Sequence, residues 1–385
     1  MAEQKHILII CGEASGDLNA AALVKKILEI NPGIKISGVG GTLMRGAGAR
    51  IIYDIKGLSV IGLFDVLIKL PKFFSLRKLI LQKIKEEHPD IIILVDFSGF
   101  NLRLAKAINK AIPVIYYVSP QVWASRTGRI KTIKKYINKM LVLFKFEEEF
   151  YKRYGMDVDF IGHPLLDIAQ PAVEKKEVLN SLKFSESKNT IALLPGSRRA
   201  EVKNILPVML RAATVINKGI PSQFVIAKSP YVEWDAYNRI IHRLNTGGIE
   251  LKIMEGKAYD CLNIADFALV ASGTATLETT IMQKPFCVIY KTGLLNYLLY
   301  LPQVKVPYIG MVNIVAGKKI IPEFIQFQAD PNKIAAQVLK TLNNPSEIER
   351  IQNDLAKIKS RLGEKGAALR AAKIIVDFLN GAHPG

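Results

Sequence analysis

Pro89-Asp90-Ile91-Ile92-Ile93-Leu94-Val95-Asp96-Phe97-Ser98-Gly99-Phe100-Asn101 decides how the rest of the chain is read. The aliphatic run Ile91 to Val95 shows no alternation, so both faces of that strand are expected to be covered, as in a parallel sheet flanked by helices. Pro89-Asp90 supplies the turn into it. The run stops at Asp96, where a helix is expected to begin. Open parallel sheets bind ligands beyond the carboxyl ends of their strands. An acid projected there is a candidate general base. Capping of the following helix by Asp96 or Ser98 is the structural alternative.

The same unit recurs on both sides. Short β-branched or aliphatic runs at 6–11, 34–39, 50–54, 114–118, 140–143 and 158–161 alternate with helical stretches such as 19–30 and 100–110. A polar segment rich in Glu, Lys and Ser, 170–189, reads as a connector. Alternation then restarts at 190–194, 223–228, 249–254, 267–271 and 286–290, and amphipathic helices are expected at 345–361 and 367–379. The pattern predicts an α/β protein with two tandem Rossmann-like βαβ domains facing a cleft, 1–169 and 170–362.

The 385 residues carry 53 Lys+Arg against 34 Asp+Glu, a net charge of +19, and 49% are hydrophobic. Such a chain is too apolar for a disordered basic tail and long enough for two cores. The excess is +9 before residue 170 and +10 after it, so neither half owns it. Nucleic acid, an anionic membrane surface and anionic small molecules are the partner classes it admits. Its texture favours the membrane. Phe64, Leu67, Leu70, Phe73 and Phe74 interleave with Lys69, Lys72, Arg77 and Lys78, and no acid stands between Asp65 and Glu86. A second stretch, 97–146, holds ten Lys/Arg and no acid. Cations mixed with aliphatic residues suit an anionic interface, whereas no nucleic-acid motif with interleaved aromatics is visible. A core helix with a solvated basic face is the alternative. Pro71 is expected to split that helix. No run reaches the roughly 18 uncharged apolar residues of a spanning helix, and the N-terminus does not read as a signal peptide. Three separated Cys and five His without ligand spacing argue against a metal site or a disulfide framework.

Other strand-end turns carry candidate chemistry. Cys11-Gly12-Glu13-Ala14-Ser15-Gly16-Asp17 follows the first run. Gly16 and Asp17 read equally as a ligand contact and as a tight turn whose Asp17 caps the next helix, while Glu13 has no evident structural task. Gly38-Val39-Gly40-Gly41 is a broken dinucleotide fingerprint, equally a tight loop. Ser119-Pro120-Gln121-Val122-Trp123 suggests a ligand wall, or a Trp buried between layers. Leu194-Pro195-Gly196-Ser197-Arg198-Arg199 fits phosphate capture by backbone N–H groups and a guanidinium. Ala271-Ser272-Gly273-Thr274-Ala275-Thr276-Leu277-Glu278 is the strongest signal. Small residues at a helix start leave N–H groups and the helix dipole for a diphosphate, with Glu278 placed for ribose hydroxyls. Asn313 and Pro322-Glu323-Phe324-Ile325-Gln326 give a modest signal that a surface loop explains as well.

Taken in order, these segments span nearly the whole chain and resemble the lipid-A-disaccharide synthases. The resemblance implies a GT-B fold with 363–385 packing back on the first domain, and an inverting transfer without metal or cofactor. UDP-2,3-diacylglucosamine would donate its sugar to 2,3-diacylglucosamine 1-phosphate, giving the β-1,6-linked disaccharide 1-phosphate and UDP. On that footing Asp96 is the expected base and Glu13 the second choice. Gly196, Ser197, Arg198, Ser272, Gly273, Thr274, Ala275, Thr276 and Glu278 would hold UDP. Ser15, Gly16, Asp17, Asn101, Gln121, Trp123, Asn313, Glu323 and Gln326 would line the donor and acceptor cleft. Two positions depart from the family's habit: Ser98, where Pro is common, and Ser125, where a second aromatic is common. The implied partners are a lipid UDP-sugar donor, a phosphorylated glycolipid acceptor and an anionic membrane surface, not nucleic acid, with room for a homodimer. The implied location is cytoplasmic, peripheral to the inner membrane. The competing reading is another UDP-sugar enzyme of this fold, a soluble glycosyltransferase or a sugar-nucleotide epimerase.

Overall fold

The structure is a computed structural model that describes residues 4–56, 63–244, 246, 248–293, 297 and 306–381, with 63–70 described by their backbone alone. The chain divides into two compact units, Met1–Pro164 with Leu362–Gly385, and Leu165–Arg361. The first holds β1 (His6–Ile10), β2 (Lys35–Gly40), β3 (Arg50–Asp54), β4 (Ile91–Val95), β5 (Val114–Tyr117), β6 (Lys139–Val142) and β7 (Asp159–Phe160). They form one parallel sheet in the order β3-β2-β1-β4-β5-β6-β7. Every residue of β1 and β4 is buried, as continuous aliphatic runs require. Strand order reverses where β1 meets β4, in register from Ile7↔Ile91 to Ile10↔Leu94. Connections leave these two strands toward opposite edges, which opens a crevice beyond their carboxyl ends. The helix Ala14–Ile30 covers the sheet with Leu23, Val24 and Ile27. The last helix, Ala367–Leu379, packs against it and buries Ala371, Ala372 and Ile375.

The second unit repeats the plan with β8 (Asn189–Leu194), β9 (Ser222–Lys228), β10 (Glu250–Glu255), β11 (Phe267–Ala271), β12 (Phe286–Tyr290) and β13 (Glu323–Ile325). The parallel order is β10-β9-β8-β11-β12-β13, so the reversal falls between β8 and β11. Ile191 and Leu193 join one core with the helix Arg199–Gly219, while Ala192 and Leu194 join another with Leu262 and Leu355. Alternate residues of one strand thus feed two apolar layers.

Three expectations differ from the structure. The segment 170–189 is no free connector: the helix Lys175–Leu182 buries Val178 and Leu179, with Phe184 after it, in the second unit's core. Its polar residues hid a two-residue apolar stripe. The helix Leu63–Glu87 runs through Pro71 unbroken. Proline removes one helical hydrogen bond, but Leu76 and Ile80 are buried and hold the following turns on the core. The surface-loop alternative at 322–326 also gives way: Glu323–Ile325 form β13, too short to show a period. Among the described residues, no helix is long and apolar enough to cross a membrane.

Candidate functional site

At the reversal of the first sheet, Glu13 follows β1 and Asp96 follows β4. Asp96 and Phe97 both adopt left-handed backbone, with φ of 46° and 45°. That conformation costs a non-glycine residue about 1–2 kcal/mol and persists only where the surroundings enforce it. Here the Tyr116 hydroxyl donates to the Asp96 carbonyl. Asn101 Nδ2 donates to the carbonyls of Asp96 (2.8 Å) and Val95 (3.2 Å). The Phe97 ring covers Gly12, where a Cβ would fall 2.3 Å from the ring. Glycine is therefore obligatory at 12, and the turns after β1 and β4 lock together. Phe73 and Phe100 complete the cover, their ring centroids 5.8 and 5.3 Å from that of Phe97. Burial first, then the nearby Glu13 charge, push the Asp96 carboxyl from 3.8 up to about 6, against the Phe97 N–H. Asp96 is thus ionised at neutral pH yet a stronger proton acceptor than an ordinary aspartate.

Asp17 is spent on structure. Its carboxylate accepts the N–H groups of Gly41 (2.7 Å), Leu43 (3.1 Å) and Met44 (3.2 Å), closing the N-terminus of the helix Thr42–Gly46 after β2. Gly16 is buried beside it, and Ser15 is exposed in the first turn of its helix. On the wall after β5, Gln121 is exposed and Trp123 half-buried. The Trp123 indole donates to Glu147 Oε1 (3.2 Å), and Glu147 Oε2 accepts from the N–H of Leu143 (3.2 Å) and Phe144 (3.1 Å). Glu147 is 2% exposed, and burial pushes its carboxyl up to about 7. Sequence reasoning missed it because Glu147-Glu148-Glu149 looks like a solvated helix face. A Glu at the third position of a helix following an apolar strand was the available signal.

The cationic-apolar helix presents two kinds of aromatic. Phe74 is 57% exposed, with the Arg77 guanidinium 5.3 Å from its ring centroid. Phe73 turns inward, onto the Asp96 turn. Lys72 and Lys78 are exposed and Arg77 half-buried. Phe64, Leu67, Lys69 and Leu70 lie outside the residues whose side chains are described.

In the second unit, the turns after β8 and β11 flank the reversal. Gly196 has φ 110°. Glu201 Oε2 accepts the N–H groups of Ser197 (3.0 Å) and Arg198 (3.2 Å), and Oε1 accepts from Arg198 Nη1 (3.1 Å). The helix Arg199–Gly219 therefore closes its own N-terminus with Glu201, a residue the sequence reading passed over. The helix Thr274–Ile281 is different: it starts from Gly273 with no side-chain cap, and Thr276 Oγ1 donates back to the Gly273 carbonyl. Its first N–H groups and dipole suit an anion. Thr274 is exposed there and Ala275 half-buried. Glu278, one turn on, accepts from the Tyr259 hydroxyl (3.1 Å), and burial raises its carboxyl pKa.

A loop meets this turn where Ser272 Oγ donates to the Ile309 carbonyl (3.2 Å). Glu323 accepts the N–H groups of Ile309 and Gly310 (both 3.0 Å) and Asn313 Nδ2 (2.8 Å). Asn313 also accepts from Ile320 and Ile321 and donates to the Ile321 carbonyl. Gln326 pairs with both N–H and C=O of Thr292, like a strand neighbour (3.1 and 3.0 Å). Asn313, Glu323 and Gln326 thus brace the backbone around the turn after β11.

Comparison with known proteins gives the family and the fold. The family model described as Lipid-A-disaccharide synthetase matches residues 7–377. Lipid-A-disaccharide synthase of Syntrophus aciditrophicus is 42% identical over 377 residues, 97% of this chain and 98% of that one. Among solved structures, a putative UDP-N-acetylglucosamine 2-epimerase from Listeria monocytogenes superposes with a TM-score of 0.66 at 12% identity, covering 99% of this chain and 98% of that one. A glycosyltransferase from Rickettsia africae gives 0.59 at 14% identity, with 99% and 100% covered. These two show the fold alone: two all-parallel α/β units of the GT-B class.

Proposed function

The chain belongs to the lipid-A-disaccharide synthetase family, and on that premise we propose that Asp96 is the base of its sugar transfer. The chain is a UDP-sugar-dependent glycosyltransferase. It moves 2,3-diacylglucosamine from its UDP derivative to the 6-hydroxyl of 2,3-diacylglucosamine 1-phosphate, giving the β-1,6-linked disaccharide 1-phosphate and UDP. Inversion needs one in-line displacement. Asp96 removes the hydroxyl proton as that oxygen attacks the sugar C1 from the face opposite the diphosphate. The C1–O bond breaks, and its electron pair stays on the UDP oxygen. The N–H groups opening the helix Thr274–Ile281, with Arg198, meet that charge. Glu278 holds the ribose hydroxyls. Glu13 acts through Asp96, its charge keeping the base basic. The observation that carries this reading is the enforced left-handed turn that holds the half-buried Asp96 carboxyl where desolvation and the Glu13 charge raise it.

We assign acceptor handling to the first unit and UDP-sugar binding to the second. Because both substrates carry acyl chains, the enzyme works peripherally on the cytoplasmic face of the inner membrane. Exposed Phe74 under Arg77 and the acid-free run from 66 to 85 support that placement. UDP release from purified enzyme with both lipid substrates tests the scheme. Asp96→Asn should cost about 10²–10⁴ in turnover. Turnover near wild type in that variant would remove Asp96 as the base.

A further inference from the structure

The second acid-free stretch, 97–146, is not used by the chemistry above, and the fold gathers part of it into one place. Arg103 lies on the helix Ser98–Ile108, and Arg126 precedes the turn Thr127–Arg129 in left-handed backbone, φ 58°. Arg129 is half-buried, and its Nη1 donates to Ser98 Oγ at 3.1 Å. The charges of Arg126 and Arg103 both act on Arg129, which burial already disfavours as a cation. Among the described residues, neither Arg103 nor Arg129 has a carboxylate partner, and the sequence from 97 to 146 offers none. Neighbouring guanidinium groups repel one another, and an incoming anion relieves that repulsion. The planar fork of arginine matches phosphate oxygens.

The cluster sits next to the base. Tyr116 links them: its hydroxyl donates to the Asp96 carbonyl, and the Arg129 charge acts on it. The acceptor must present a hydroxyl to Asp96 and carries its phosphate across the same sugar ring. We propose that Arg103, Arg126 and Arg129 form the seat for the acceptor's phosphomonoester, with Ser98 as the positioning residue that aims Arg129. This rests on the reading of Asp96 as the base.

The test compares two acceptors in the same detergent micelles, one with its 1-phosphate and one with a free 1-hydroxyl, by UDP release from the full-length enzyme. Wild type should prefer the phosphorylated acceptor. In Arg126→Gln, Arg129→Gln and the double variant, that preference should fall about tenfold or more per lost charged hydrogen bond, through the acceptor KM and not the donor KM. Arg103→Gln, at an exposed position, repeats the measurement where folding is not at risk, and thermal melts check the others. Ser98→Ala should lower the preference with all three arginines present, and Ser98→Thr should restore it. An unchanged preference in a folded double variant overturns the proposal. Variants that keep the preference but lose binding to anionic vesicles overturn it as well and give these arginines to the membrane surface. If wild type releases no UDP with either acceptor, the base assignment and the sugar-transfer activity fall first, and the seat with them.

Discussion

Asp96→Asn should stabilise the protein while it lowers turnover by about 10²–10⁴, and the pH dependence of that gain is the sharper test. The ordinary carboxyl value is 3.8, and in the folded chain Asp96 stands at about 6. The folded state therefore holds the proton more tightly than the unfolded one. Between these values stability falls as pH rises, and above about 6 the ionised carboxylate carries its full cost. A shift of about two pKa units corresponds to about 3 kcal/mol. Asparagine is neutral in both states and keeps the backbone carbonyl that Tyr116 and Asn101 hold. Urea unfolding at pH 8 should thus show the variant more stable by up to about 3 kcal/mol, shrinking below about 1 kcal/mol at pH 4, where the wild-type carboxyl is protonated when folded. Equal gains at both pH values would mean that the side chain, not its charge, is responsible. No gain at pH 8 would mean that the carboxylate is not desolvated and has no reason to be basic. Glu13→Gln supplies the companion measurement. Removing the second cause of the shift should move the acid limb of kcat/KM from about pH 6 to lower pH.

Phe74→Ser should weaken binding to anionic vesicles with the urea midpoint unchanged, whereas Phe73→Ser should cost about 2 kcal/mol of stability, because its ring packs on the Asp96 turn. Vesicle flotation and urea melts of the two variants separate these outcomes. Protonation of Glu147 near pH 7 weakens the bond from the Trp123 indole, so Trp123 emission in a Trp234→Phe background should titrate with a midpoint of about 7 and stop titrating in Glu147→Gln. Asn313→Ala strips the Ile320 and Ile321 N–H groups and the Ile321 carbonyl of their partner, and about 3 kcal/mol should be lost. A urea-melt loss under about 1 kcal/mol would deny its bracing role.

The elements legible in the sequence are those whose partners are either everywhere or adjacent. Ile91–Val95 reads as a strand because both of its faces need apolar cover, and Pro345–Arg361 reads as a helix because one stripe repeats along it. The turns bearing Asp96 and Ser272 stood out because acid or small residues follow an apolar run without a break. What the sequence concealed depends on distant partners. Nothing local tells that Asp17 serves N–H groups at 41, 43 and 44. Nor does any glycine announce the left-handed backbone at Asp96 and Phe97, because packing and the bonds from Asn101 and Tyr116 impose it. Glu147 and Glu201 were hidden differently: each lies in a polar surrounding that a solvated helix would also show, and only the fold turns the carboxylate onto backbone N–H groups.

The two sheets share one topology and put it to opposite electrostatic uses. Inverting transfer asks for a carboxylate made basic and for a leaving diphosphate kept comfortable as an anion. Those demands conflict within a single environment, because the burial that raises Asp96 toward 6 would also penalise charge accumulating on phosphate oxygens. At the reversal between β1 and β4, desolvation dominates the rise of the Asp96 carboxyl, and the Glu13 charge adds to it. At the reversal between β8 and β11 stand an uncapped helix start and Arg198, and the neighbouring carboxylate, Glu201, is already tied to N–H groups and the guanidinium. Because the strands are parallel, each sheet delivers its turns to one edge. On the proposed assignment, building the base and the anion site on separate sheets lets each be tuned without weakening the other. The positive charge spread almost evenly over the chain then has two tasks. On the proposed assignments, it meets a departing nucleotide in the second unit, and in the first, through Arg103, Arg126 and Arg129, it holds the phosphate that brings the acceptor hydroxyl to Asp96.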